Sequence, residues 1–384
     1  MNSLSEYISR PRQFTINGTP EGGRALALCE LFHAADGRSI IHVARDDSSM
    51  ARLAHALPFF APNIDLLVFP AWDCLPYDRV SPNTEILSRR LDTLAKLATS
   101  TSPVVILTTV SAILQKVPKR DTYANASISG VVGDEIVVEG LLAFLEGNGY
   151  TRAGTVREPG EYAVRGDIVD IFPPGANDPV RLDFFGDELE GVRSFDAMTQ
   201  RTITVLEDFS LCPVSEVTLD EASVARFRSK YRVMFGAGST EDPICEAIRA
   251  GHRFIGMEHW LPLFHDELET LFDYRADAVI SMDHEVEVVS KDRFEMIADY
   301  YDARVAMLPS VKRDRKATGM QGGDEIYKPI PPDTLFLDEQ TWAAYLSARP
   351  VAILSAFDAP PTAEDSSGPQ NHLDWGGRIT LDFT

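Results

Sequence analysis

Cysteine is scarce. Cys29, Cys74, Cys212 and Cys245 are the only four in 384 residues, and none forms a C-x-x-C pair. That spacing excludes a disulfide framework and a zinc ribbon, and suits a reducing compartment. The histidines do not fill the gap. His252, His259 and His265 come nearest to a cluster, but their spacing does not align them on one helical turn as metal ligands. Long apolar runs are also missing. No stretch approaches a membrane span, and the opening MNSLSEYISRPRQF lacks the apolar core of a secretory signal. No membrane contact and a cytoplasmic location are therefore expected. Positive charge is the third shortage, with 36 Lys and Arg against 58 Asp and Glu, a net −22. Such a surface repels phosphate backbones and opposes free-standing DNA binding by the chain as a whole. The basic stripe Lys312-Arg313-Asp314-Arg315-Lys316 precedes Gly319, Gly322 and Gly323, and reads as a solvated loop.

What is present belongs to a soluble globular protein: 44% hydrophobic and 24% charged residues. The length allows two or three domains. Short apolar runs at Gln13–Ile16, Ile40–Val43, Leu66–Phe69 and Val104–Thr108 predict strands. Helices are predicted near Ser48–Leu57 and over Thr84–Leu97, the second capped by Asn83 and striped by Ile86, Leu87, Leu91, Leu94 and Leu97. Alternation of this kind indicates an α/β domain with a mainly parallel sheet. After Leu211 the pattern returns. Helices are expected over Asp220–Phe235, Asp242–Ala250 and Glu285–Arg304, and strands over Arg253–Met257 and Asp277–Met282. A last small unit spans Leu335–Leu337, Glu339–Leu346 and Val351–Leu354. Residues 360–377 read as a linker, and Arg378–Phe383 as one further strand. The expected division is 1–118, first α/β half; 119–212, inserted β-rich domain; 213–310, second α/β half; 311–384, small C-terminal unit and linker.

Between the first strand and the helix Leu26–Phe32 lies a glycine-rich turn. Gly18 and Gly23 have the separation of a phosphate-binding loop, G-x-x-x-x-G-K-[ST]. Arg24 stands where the motif needs Lys, and Ala25 where it needs a hydroxyl. Arg is longer, planar and not equivalent to Lys, and Ala25 cannot ligate magnesium. The backbone could still accept an anion at the helix N-terminus. Two stretches imitate the acidic box of an ATPase, LDFFGDELE at Leu182–Glu190 and LPLFHDELE at Leu261–Glu269. In the first, Gly186-Asp187 is better read as a hairpin turn. In the second, Pro262 argues against a central strand.

Residues 150–201 read as a compact antiparallel meander. Its apolar runs are Val164–Phe172, Val180–Phe185 and Glu190–Phe195, with Pro, Gly and Asn between them. Alternation along the middle run gives Val180, Leu182 and Phe184 one face, and Arg181, Asp183 and Phe185 the other. An aromatic beside an Arg on a polar face is either a binding hot spot or a Phe covered by another part of the chain.

Three stretches together resemble one family. FPAWDCLPYDRVSPNTEILSRRLDTLAKL, GEYAVRGDIVDIFPPGANDPVRLDFFGDELEGVRSFDAMTQR and GMEHWLPLFHDELETLFDY are similar to the N-terminal part of the bacterial transcription-repair coupling factors (Mfd). The second is also similar to the matching domain of UvrB. The likeness runs from about residue 10 to the end. It implies a degenerate helicase-like α/β domain of the P-loop NTPase type, interrupted by a small β-rich UvrA-binding domain. It implies UvrA as partner, with Arg165, Arg181 and Phe185 as contact residues. Arg193 is a weaker candidate, for which a surface ion pair is the competing reading. No cofactor is implied for this chain. The family's ATP- and Mg-dependent motor lies downstream, as do the parts that meet RNA polymerase and double-stranded DNA. The chain is thus expected to be an N-terminal piece without catalysis of its own. Two alternatives stay open: a divergent NTPase using Arg24, and a UvrB-like DNA-binding repair protein.

Overall fold

The first hundred residues alternate strand and helix. In the computed structural model, which describes residues 4–78, 80–124, 127–236, 243–318, 327–357 and 371–377, the order is α1 (Leu4–Ile8), β1 (Arg12–Asn17), α2 (Arg24–Ala34), β2 (Ile40–Ala44), α3 (Asp47–Phe60), β3 (Leu66–Phe69), α4 (Thr84–Thr99) and β4 (Val105–Thr109). The caps are side-chain oxygens. Asp46 accepts from the Ser49 amide at 2.7 Å to start α3, and Asn83 from the Glu85 amide at 2.8 Å to start α4. The α4 stripe buries Leu87, Leu91, Leu94 and Leu97, as its spacing predicts.

The chain then leaves this layer. Strand β5 (Val117–Pro118) is a brief edge, followed by β6 (Ile128–Val131), the helix Val138–Gly147 and β7 (Thr151–Arg152). Next come β8 (Glu161–Arg165), β9 (Ile168–Ile171), β10 (Val180–Phe185), β11 (Glu188–Phe195), β12 (Thr202–Leu206) and β13 (Asp208–Leu211). Strands β12 to β7 form a six-stranded sheet in the order β12-β11-β10-β9-β8-β7, while β13 pairs with β6. All its pairs are antiparallel except β7 with β8. The run Val164–Phe172, expected as one strand, is split between two. Gly166 at φ 63° turns the chain between β8 and β9, a conformation only glycine adopts without strain. Val169, Leu182, Phe184 and Val192 close one face of the sheet against Leu141 and Leu145 of the helix.

The return half is mostly helical. Helices Glu221–Phe235 and Pro243–Arg249 form as expected. The strand expected over Arg253–Met257 does not: Gly256 takes a left-handed φ of 81° and opens a short helical turn, Met257–Trp260. Phe227, Tyr231, Trp260 and Phe264 build an aromatic core there. The remaining strands are β14 (Leu268–Glu269), β15 (Val279–Asp283), β16 (Pro350–Leu354) and β17 (His372–Asp374).

Seven strands make the large sheet, in the order β17-β1-β16-β15-β2-β4-β3, and all pairs are parallel. Both faces are covered, so β2, β4 and β15 are buried at every position. Two expectations give way here. Val351–Leu354, read as part of a separate small unit, is a central strand between β1 and β15. His372–Asp374, read as linker, is the edge strand beside β1. The basic stripe 312–316 also lies in a helix, Val286–Thr318, rather than a loop. Arg378–Phe383 falls outside the described residues. Among the described residues no helix is long and apolar enough to cross a membrane, and no group of three His, Cys, Asp or Glu could hold a metal.

Candidate interaction face and glycine loop

Pairing register decides what the outer face of the six-stranded sheet presents. Arg181 on β10 stands opposite Asp170 on β9 and Arg193 on β11, and Arg193 stands opposite Val205 on β12. Arg165 on β8 stands opposite Ile168, which stands opposite Asp183. The alternation predicted for β10 holds: Val180, Leu182 and Phe184 are buried, and Phe185 is 73% exposed. Among the described residues nothing covers the Phe185 ring, against the reading of a Phe packed under another segment.

The arginines are less free than the sequence suggests. Arg181 donates to both oxygens of Asp170, Nε to Oδ1 at 2.6 Å and Nη2 to Oδ2 at 2.9 Å. Its guanidinium lies 4.6 Å from the centre of the Phe195 ring. The Asp170 hydrogen bonds raise the Arg181 pKa above its ordinary value, with burial opposing. Arg165 sits within 3.7 Å of the same carboxylate and donates to the Gly154 carbonyl at 2.9 Å and the Thr155 hydroxyl at 3.1 Å. Arg193 pairs with Asp183, which agrees with its surface-ion-pair reading. Asp170 is thus a buried carboxylate, its side chain 1% exposed, that joins two of the three expected contact residues. The sequence reading missed it. The signal, a lone acid inside the apolar run IVDIF, needed the β9–β10 register to be read. The exposed Val205 and Ile203 on β12 were missed for the same reason.

The glycine loop has a different character. Gly18 takes φ 69°, a short turn covers Glu21–Gly23, and α2 begins at Arg24. The Arg24 guanidinium points inward. Its Nη1 lies 2.9 Å from Oδ1 of Asp283, the last residue of β15, with the two side chains 13% and 1% exposed. His42 lies 3.8 Å from the same oxygen, and burial lowers its pKa, outweighing the pull of Asp283. Ala25 is buried. From the other side comes Trp375, after β17, whose ring lies 2.9 Å from where a Cβ on Gly23 would stand. Its indole N–H donates to Glu30 at 2.7 Å. The acid that meets the loop is therefore Asp283, in VISMDHE, and neither of the two boxes singled out from the sequence. Leu182–Glu190 forms a hairpin turning at Gly186-Asp187, and Leu261–Phe264 is a short helix.

The comparisons fall on the same regions. Residues 128–217 match the UvrB interaction domain family, which takes in β6 to β13. The chain is 35% identical over 285 residues to the transcription-repair-coupling factor of Haemophilus influenzae, covering 74% of this chain and 24% of that protein. It is 30% identical over 286 residues to that of Rickettsia bellii, covering 74% and 25%. Against that of Escherichia coli the identity is 34% over 236 residues, covering 61% and 20%. The match thus spans about a quarter or less of the length of these relatives. With its UvrB interaction domain inserted into a parallel-sheet domain, the chain belongs to the transcription-repair-coupling factor family, whose N-terminal UvrB-like module it matches.

Proposed function

We propose that the chain is a non-catalytic recruitment module, whose six-stranded domain binds UvrA and brings it to RNA polymerase stalled at DNA lesions. The observation that carries this is Phe185. It is a large aromatic, 73% exposed, on a face where three arginines alternate with two aspartates. Exposed aromatics flanked by Arg are the residue types that dominate interface energetics. The face lies inside the region that matches the UvrB interaction domain. We propose Arg165, Arg181 and Phe185 as its contacts. RNA polymerase and double-stranded DNA would be met by other parts of the family's proteins.

The glycine loop supports the non-catalytic half of the reading. A working phosphate loop needs a free cation, a hydroxyl for magnesium and open space. Here Arg24 is held by Asp283, Ala25 offers no hydroxyl, and Trp375 lies over Gly23. We read it as a degenerate helicase-type loop that needs no ATP or magnesium. Two measurements on the 384-residue chain test the proposal. A pull-down with UvrA is expected to succeed and to be lost on Arg181→Ala with Phe185→Ala. Calorimetry with Mg-ATP is expected to give no heat of binding. UvrA capture undiminished by the double substitution would sink the interface, and micromolar ATP binding with turnover would favour an NTPase.

A further inference from the structure

The proposed contact face does not end at Arg193. Beyond it, where the chain passes from β12 to β13, lies a groove of about 750 Å³ whose lining includes Val131, Val132 and Val205. These three are 53%, 41% and 74% exposed. Contiguous exposed apolar side chains with a polar rim mark interaction sites on soluble proteins. The groove is also built in advance. The Val132 amide donates to the Glu207 carbonyl at 2.9 Å and the Gly133 amide to the Leu189 carbonyl at 2.8 Å, fixing its outer wall to β11 and to the end of β12. A preformed slot avoids part of the ordering cost of binding.

Its charge runs opposite to that of the Arg181 end. Arg193 is the one cation among the groove-lining residues, and it is paired with Asp183. Glu190 and Glu207 remain as a negative rim without an ion-pair partner among the described residues. The groove continues the row Arg181, Arg193, Val205. We propose that the groove is a second contact of the same partner, UvrA, which seats an apolar side chain against Val131, Val132 and Val205 and sets a Lys or Arg against Glu190 and Glu207. The inference rests on the preceding reading of the face. It adds a polarity: the partner is acidic or neutral opposite Arg165 and Arg181, apolar at Phe185, and apolar with a neighbouring base at the groove.

Calorimetric titration of UvrA with variants of the whole chain tests it. Val205→Asp is expected to weaken binding roughly tenfold or more, as loss of an anchor does. The pair Glu190→Gln with Glu207→Gln is expected to weaken it several-fold and to reduce its salt dependence. Val205→Ser, milder at the same exposed site, should fall between wild type and Val205→Asp, with unchanged thermal melting. If Val205→Asp binds within twofold of wild type while Phe185→Ala loses binding, the groove is refuted and the face stands. If both bind like wild type, the recruitment reading itself fails. If the Glu190/Glu207 variant binds more tightly, the assigned partner charge is wrong.

Discussion

Arg181 and Phe185 share a strand and a face, but a substitution at each reports on a different property. Phe185 touches little of its own chain, so Phe185→Ala is expected to change stability by no more than about 0.5 kcal/mol. Arg181→Ala removes the bidentate partner of Asp170 and leaves a buried carboxylate with Arg165 alone at 3.7 Å. That costs about 2–4 kcal/mol, in line with breaking a buried ion pair. Guanidinium unfolding curves of the two single variants check the contrast. Equal stability losses would mean that Asp170 is not the anchor described above. Loss of UvrA binding in Phe185→Ala is accordingly the cleaner test of the interface. The face that carries Phe185 was legible in the sequence because alternation fixes it, whereas its exposure shows only in the structure. The anchoring of Arg181 was not legible, because Asp170 becomes its neighbour only through the β9–β10 register.

Among the elements, α4 ties the C-terminal end of the insertion to the large sheet. Arg90 of α4 is fully buried. It donates to Glu216 from Nε at 2.5 Å and to the Pro70 carbonyl from Nη1 at 2.9 Å, with its guanidinium 4.2 Å from the Phe69 ring centre. Glu216 lies after β13, at the end of the stretch that matches the UvrB interaction domain and just before the return half. Arg90→Ala would strand Glu216 in the interior and is expected to cost about 3–5 kcal/mol in denaturant unfolding. A cost below about 1 kcal/mol would show that the pair is dispensable. The helix itself was readable from its cap and stripe. Arg90, which lies within the apolar stripe, was not singled out, since a lone cation in a helix is ordinarily solvated. The missed turn at Gly166 has a similar origin. Glycine inside an apolar run signals a bulge or a turn equally, and only the pairing partner separates them.

At the scale of the molecule, the buried histidines contribute a pH response. Burial pushes His259 down to about 4, with its contact to the Val80 carbonyl opposing. It lowers His42 and His265 as well. The unfolded chain takes up protons on these rings near the ordinary 6.5 while the folded chain does not, so the unfolded state binds more protons in between. Stability is therefore expected to fall as pH drops from about 6.5 towards 4, by up to roughly 3 kcal/mol from His259. Glu258 acts in the opposite sense, since burial raises its pKa and its protonation favours the folded state. Thermal melts at pH 7 and pH 5 should differ, and His259→Gln should narrow the difference. A His259→Gln variant with the full wild-type pH dependence would exclude that ring as the source. Local chemistry was enough for the sequence to determine most strands and helices, the family likeness, the place of Phe185 on the polar face of its strand, and a glycine-rich turn that carries Arg24 and Ala25. Tertiary structure alone decided that β16 and β17 complete the large sheet, that Asp283 holds Arg24, and that Asp170 holds Arg181. Each of these joins residues far apart in the chain through strand order and register, which no local periodicity encodes.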